Sequence, residues 1–273
     1  MPTTANLKSK VLGFYQDALA NGKLDGLGTL FAEDYVPHTA PLKDVPVLDA
    51  GLLALRERLQ ERGRIPHRVY RAIADGDYVW VHARYDGAMP IAGADIFRFD
   101  TSGRIAEHWN SRQRIPQDVA RGVDRFIGGG SAELPMSETR RAQIKGILRD
   151  TLMEMWSKGN AALVPTYYAE SYIQHNPDMP GGYWRIKEVM ETEIPKFIAS
   201  SGGPYPVDIH RMGAEGDLIF VHYSNYMAGI NRHAGARSTS VDVFRIGPEN
   251  KMIEHWDVLQ MEGEPLPDDS TLF

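Results

Sequence analysis

The 273-residue chain has no cysteine. That excludes disulfides, thiolate metal sites, iron–sulfur clusters and cysteine nucleophiles. Long apolar runs are also missing: no stretch approaches the roughly 20 residues a membrane helix needs. The polar segment Met1 to Lys10 lacks the apolar core of a secretory signal, so a soluble cytoplasmic protein without membrane contact is expected. Excess positive charge is absent too, with 30 Lys and Arg against 36 Asp and Glu and a net charge of −6. This argues against a broad phosphate-binding surface and so against a nucleic-acid partner. There is no P-loop, no glycine fingerprint for a dinucleotide and no HExxH zinc motif.

What is present is a repeat. The run Phe31 to His38 (FAEDYVPH) aligns with Tyr168 to His175 (YAESYIQH), and Gly76 to His82 (GDYVWVH) with Gly216 to His222 (GDLIFVH). Asp95 to Arg98 (DIFR) aligns with Asp242 to Arg245 (DVFR), and Ile105 to Trp109 (IAEHW) with Met252 to Trp256 (MIEHW). The offset grows from 137 to 147 along the chain, as insertions in a duplicated domain require. The expected organisation is a first domain at 1–127, a linker at 128–137 beginning Gly128-Gly129-Gly130-Ser131, and a second domain at 138–273.

Each copy reads as helices followed by strands. Val11, Phe14, Tyr15, Ala18 and Leu19 form one helical face, closed by Asn21-Gly22. Ile144, Ile147, Leu148, Thr151, Leu152, Met155 and Trp156 form its counterpart, closed by Gly159-Asn160. Leu48 to Arg62 and Trp184 to Ser200 read as later helices, with Pro195 predicted to break or kink the second. His175-Asn176-Pro177 reads as the end of a helix-like segment opening into a loop. The period then falls to two, with hairpins around Asp75-Gly76 and Glu215-Gly216 and two further strands in each copy. The fold class expected is α+β, with helices covering one face of an antiparallel meander.

The last hairpin can be registered from the sequence. Pairing Ile246 with Lys251 sets Asp242 opposite His255, and the same register in copy one sets Asp95 opposite His108. Directly opposed residues share a face, so an Asp–His pair is expected in both copies. A carboxylate beside an imidazole makes a proton donor or acceptor, and an aspartate in an apolar cavity can remove a proton next to a carbonyl. The same pair could instead only pin two strands together. His38 with His175 and His82 with His222 are further matched histidines. Copy one has Thr39 and Asn110 where copy two has Asn176 and Asp257, so copy two is the expected site of chemistry. There Asp242, His255 and His175 are the catalytic candidates, and His222, Tyr226, Trp256 and Asp257 the candidates for holding substrate. His38, His82, Asp95 and His108 are their copy-one counterparts. Trp109 and Trp256 read more readily as core than as clamps, and His222 and Tyr226 equally as cavity lining or strand surface. A metal set of His175, His222, His255 and Asp242 has no metal-specific spacing.

The segments Tyr172 to Pro177, Val241 to Arg245 and Ile253 to Asp257 resemble the SnoaL-like polyketide cyclase family of the NTF2-like superfamily, and copy one matches through Tyr35 to His38, Asp95 to Arg98 and Glu107 to Trp109. The resemblance implies two tandem cone-shaped α+β barrels, each a curved antiparallel sheet around a pocket closed by helices. It also implies a covalent pseudo-dimer that could dimerise further, and aldol or isomerase chemistry on a small carbonyl compound without metal or cofactor. By position, Asp242 and His255 would be the acid–base pair and His175 a pocket histidine. Two alternatives remain: a non-catalytic protein that binds a small hydrophobic ligand, and a structural pseudo-dimer.

Overall fold

Each half of the chain begins with a capped amphipathic helix. In the computed structural model, α1 (Thr4–Phe14) starts at Thr3, whose side chain accepts from the Asn6 backbone N–H. Its counterpart α2 (Glu138–Asp150) starts at Ser137, which accepts from the Arg140 N–H. Such caps satisfy backbone donors that the first helical turn leaves open. Both helices widen into a π-helical turn, Tyr15–Ala20 and Thr151–Ser157, which keeps the apolar stripe turned inward. The structure describes residues 3–38, 56–57, 59–61, 63–86, 90–115, 126, 128–129, 136–176, 179–225 and 238–260. Most of the expected linker, much of the helix expected at Leu48 to Arg62, and Tyr226 lie outside these residues.

The chain divides into two compact units, Met1–Gln117 and Asp118–Met261. The first carries β1 (Phe31–His38), β2 (His67–Asp75), β3 (Tyr78–Tyr85), β4 (Ile91–Phe99) and β5 (Ile105–Arg114). The second carries β6 (Tyr168–Gln174), β7 (Val207–Glu215), β8 (Leu218–Asn225), β9 (Ser238–Ile246) and β10 (Met252–Gln260). The sheet orders are β1-β5-β4-β3-β2 and β6-β10-β9-β8-β7. Four strands in each sheet form the antiparallel meander, with hairpin turns at Gly76 and Gly216 that hold positive φ of 61° and 64°. The α+β class expected from the sequence, with helices on one face of a strand meander in each half, is the observed one, with two corrections.

First, the segment leading to His175 is not helical. It is β6, and it lies parallel to β10, as β1 lies parallel to β5, so each sheet is mixed. A single helical turn, Val164–Tyr167, precedes it, and at the end of the strand burial alternates, with Tyr172 and Gln174 buried and Ile173 between them exposed. Second, Pro195 does not break the chain's later helix. α3 (Gly182–Glu188) passes through a π-helical turn, Val189–Glu193, into α4 (Ile194–Ser201), and Pro195 sits in the first turn of α4, where no backbone donor is required.

The helices pack on one face of each sheet. Leu7, Val11, Phe14, Phe31, Phe97 and Ile105 are central to the first core. Ile144, Leu148, Met155, Ile186, Val221 and Phe244 hold the same place in the second. Among the described residues, no helix is long and apolar enough to cross a membrane.

Candidate functional site

Strand register decides which side chains meet. In the second unit Met252 pairs with Ile246, but Glu254 pairs with Arg245, so one residue is bulged between them. The extra residue is Ile253, and its side chain lies where a Cβ on Gly247 would stand, 2.8 Å away. The loop shifts the expected register by one residue and the bulge by another. His255 therefore faces Phe244, and Asp242 faces Asp257. A two-residue shift preserves the sheet face, so Asp242 and His255 meet diagonally. Their Oδ2 and Nε2 atoms lie 3.2 Å apart, although the angle is too poor for a hydrogen bond and Nε2 forms none. The first unit has the same bulge, with His108 opposite Phe97 and Asp95 opposite Asn110.

Around the second pair, β6 and the residues just after it supply Tyr172, Gln174 and Asn176, none of which is among the expected catalytic or substrate-holding residues. Gln174 Oε1 lies 2.8 Å from His255 Nδ1 and also accepts from the backbone N–H of Asn176 at 3.0 Å. A backbone N–H can only donate, so the atom facing it is the amide oxygen, and His255 Nδ1 must then carry a proton. Nε2, toward Asp242, is the nitrogen left to take up or release one. The Asn176 side chain donates to Asp257 at 2.5 Å. Asp242 itself accepts from Tyr223 Oη at 3.0 Å and from Ser240 Oγ at 2.5 Å. All of these residues are buried. The hydroxyls of Tyr172 and Tyr205, and the amide nitrogen of Gln174, are buried with no hydrogen-bond partner among the described residues. Burial first, then neighbouring charge that includes Asp242, pushes both of these phenols well above the usual tyrosine range, so they stay protonated donors.

The remaining candidates lie elsewhere. His175 is on the opposite face of the sheet, 2.9 Å from Glu254 Oε1 and stacked on Trp256 at 5.2 Å. Arg245 bonds Glu254 at 2.9 Å and covers the same indole. His38, Glu107, Arg98 and Trp109 repeat this quartet in the first unit. The matched histidines and the EHW motif thus partly record a structural cluster. His222 is also on that face, paired in the ladder with Val241 and bonded to Thr239 at 2.9 Å, while Arg211 donates to its Nδ1 at 3.3 Å. His82 meets Arg71 in the same way, at 3.1 Å. Of the expected set, Asp242, His255 and Asp257 converge, whereas His175, His222 and Trp256 do not join them. The four-residue metal set consequently does not assemble, and among the described residues no group of three or more His, Asp and Glu is placed to hold a metal ion.

The first unit closes the equivalent position. Asp95 Oδ1 accepts from His108 Nε2 at 2.8 Å and from Arg112 Nη2 at 2.5 Å. Its Oδ2 accepts from Tyr15 and Tyr85, both at 2.6 Å. Burial opposes the charge on Asp95, but the Arg112 guanidinium and the His108 bond override it and hold the carboxyl well below the usual carboxylate range. By the repeat, Tyr15, Tyr85 and Arg112 correspond to Leu152, Asn225 and Leu259. Gly93, which corresponds to Ser240, makes room for the plug: a Cβ there would lie 2.5 Å from the Tyr85 ring.

The SnoaL-like domain family matches the chain twice, at residues 11–108 and 150–256. No curated protein sequence matches it. Similar solved structures include TsrD from Streptomyces laurentii, 16% identical over 46% of this chain and 91% of that one, with a TM-score of 0.34. An LEH-like epoxide hydrolase of M. tuberculosis is 22% identical over 41% and 86%, at 0.33. A steroid delta-isomerase from Pseudomonas aeruginosa is 23% identical over 43% and 85%, also at 0.33. The two family matches take in most of the chain and the Asp–His pair of each unit, and the chain belongs to the SnoaL-like domain family, as two domains in tandem.

Proposed function

We propose that the second unit is a cofactor-independent acid–base enzyme that forms an enolate from a small carbonyl compound. The carrying observation is the setting of Asp242: among the described residues, a buried carboxylate bonded to neutral hydroxyls, beside His255, with Leu259 at the position where the first unit has Arg112. Asp242, alone or as a dyad with His255, removes the proton from the carbon next to the carbonyl. The C–H electron pair becomes the C=C bond of the enolate, and the carbonyl π electrons move onto oxygen. Tyr172 and Tyr205 offer that oxygen two fixed donors in a site largely closed to water. Return of the proton to another carbon gives isomerisation, and attack of the enolate carbon on a second carbonyl gives aldol cyclisation.

Deuterium uptake from D2O into a panel of ketones and β-dicarbonyls, followed by NMR, tests this reading. The parent should catalyse exchange, and Asp242→Asn should lower it by about 10²–10⁴-fold, as for loss of a general base. Binding without exchange by the parent would favour the ligand-binding alternative.

A further inference from the structure

Three hydrogen-bond donors of the second unit are buried with nothing to donate to. They are the hydroxyls of Tyr172 and Tyr205 and the amide nitrogen of Gln174, none of which has a partner among the described residues. Their residues are only 4%, 3% and 6% exposed. Tyr172 and Gln174 share the inward face of β6, because Ile173 between them is 53% exposed. Tyr205 packs into the same hydrophobic core as Tyr172. A buried donor without an acceptor costs free energy and is rare in folded proteins. Three of them on the helix-covered side of one sheet mark acceptors that come from outside the chain. The fold itself does not demand these donors. The first unit has Pro37 and Ile65 where the second has Gln174 and Tyr205, and neither carries a side-chain donor.

The Gln174 amide is also fixed in orientation. Its oxygen accepts from the Asn176 backbone N–H at 3.0 Å and lies 2.8 Å from His255 Nδ1. Turning the amide over would set its NH2 against a backbone N–H, so the nitrogen side presents donors and no acceptor. One carbonyl oxygen has two lone pairs, and the two phenols fill them. The amide nitrogen therefore calls for a second acceptor. We infer that Gln174 selects the substrate: the second unit takes a carbonyl compound that carries a second, uncharged acceptor oxygen, and Gln174 Nε2 donates to that oxygen. The inference deepens the enolate reading and rests on it for the first carbonyl, but recognition of the second oxygen is a matter of binding alone. Through its oxygen Gln174 serves His255, and through its nitrogen it serves the ligand.

The test uses the full chain and two pairs of ketones matched in shape. Hexane-2,5-dione is set against 5-methylhex-5-en-2-one, and methyl acetoacetate against 4-methylidenehexan-2-one, so that only the second oxygen function is lost within a pair. NMR titration gives the affinities, and deuterium uptake from D2O gives the exchange rates. In at least one pair the parent should bind the oxygenated member about tenfold more tightly, as for one buried hydrogen bond gained. That ratio should fall toward one in Gln174→Met. It should fall likewise in Gln174→Glu, which keeps an oxygen toward His255 and loses the amide donor. Tyr172→Phe should weaken both members of the pair and leave their ratio standing, which separates loss of the amide donor from general damage to the site. Equal binding within both pairs, a ratio unchanged in both Gln174 variants, or binding of none of the four ketones would overturn the inference. Oxygen-selective binding that depends on Gln174, without exchange by the parent, would sustain the role of the amide and remove the enolate reading instead.

Discussion

At the scale of single residues, the chemistry rests on which atom of which side chain is already committed. Gln174 commits Nδ1 of His255 because its own oxygen is held by the Asn176 backbone N–H. This leaves Nε2 facing Asp242, so in the proposed mechanism Gln174 is a positioning residue that need not touch substrate. The first unit has Pro37 at that place, and there His108 Nδ1 is buried without a partner. Gln174→Leu should slow carbonyl exchange by about 10- to 100-fold, since a misassigned imidazole tautomer is costly in acid–base catalysis. Gln174→Glu keeps an acceptor on Nδ1 and should recover part of the rate. The pH–rate profile should shift in the leucine variant, which a purely structural loss would not produce. Equal rates in all three proteins would remove Gln174 from the mechanism.

At the scale of elements, the two sheets show how one plan is opened or closed by a few substitutions on one face. In the first unit Gly93 leaves space that the Tyr85 ring and Arg112 fill. Gly93→Ser, which installs the residue found at Ser240, should therefore destabilise the protein by about 1–3 kcal/mol, as overpacking does. In a Tyr85→Ala background the same serine should cost little, and chemical denaturation of the four proteins would measure the coupling. Additive effects would show that Tyr85 and Gly93 are not in competition.

The pairing of these strands was legible in the sequence because period two and the Asp75-Gly76 and Glu215-Gly216 turns leave few alternatives. The Asp–His partnership was legible only through parity: the loop and the bulge at Ile253 each move the register by one residue, and together they restore the face. The β6 contribution was missed because the segment was read as helical, which hid the inward alternation of Tyr172, Gln174 and Asn176 and drew attention to His175. Helix-versus-strand ambiguity is inherent to a short apolar segment with a proline beside it. Tyr205 and Tyr223 carry no local motif at all. Only the assembled sheet and helices bring them to Asp242.

At the scale of the whole molecule, buried ionisable groups set the response to acid. His222 is buried, and burial first, then the nearby Arg211 and His210 charges, holds its pKa well below the usual histidine value. Above about pH 6.5 it is neutral whether folded or unfolded and contributes no pH dependence. Below that, the unfolded chain takes up a proton that the folded state refuses, so stability falls with pH, by up to about 1.4 kcal/mol per unit. His222→Gln should flatten this slope between pH 7 and 5 in urea titrations. An unchanged slope would mean that His222 is already protonated in the folded protein.

The tandem arrangement also predicts a division of labour, with one working pocket in a chain that has two Asp–His pairs. Asp95 is held by Arg112, His108, Tyr15 and Tyr85, whereas among the described residues Asp242 has only hydroxyl donors, with His255 beside it. The most direct measurement compares ketone deuteration in D2O by the parent, Asp242→Asn and Asp95→Asn, each checked for folding by circular dichroism. Exchange lost in Asp242→Asn and retained in folded Asp95→Asn is the predicted result. Exchange that survives Asp242→Asn, or that disappears in folded Asp95→Asn, would contradict the account.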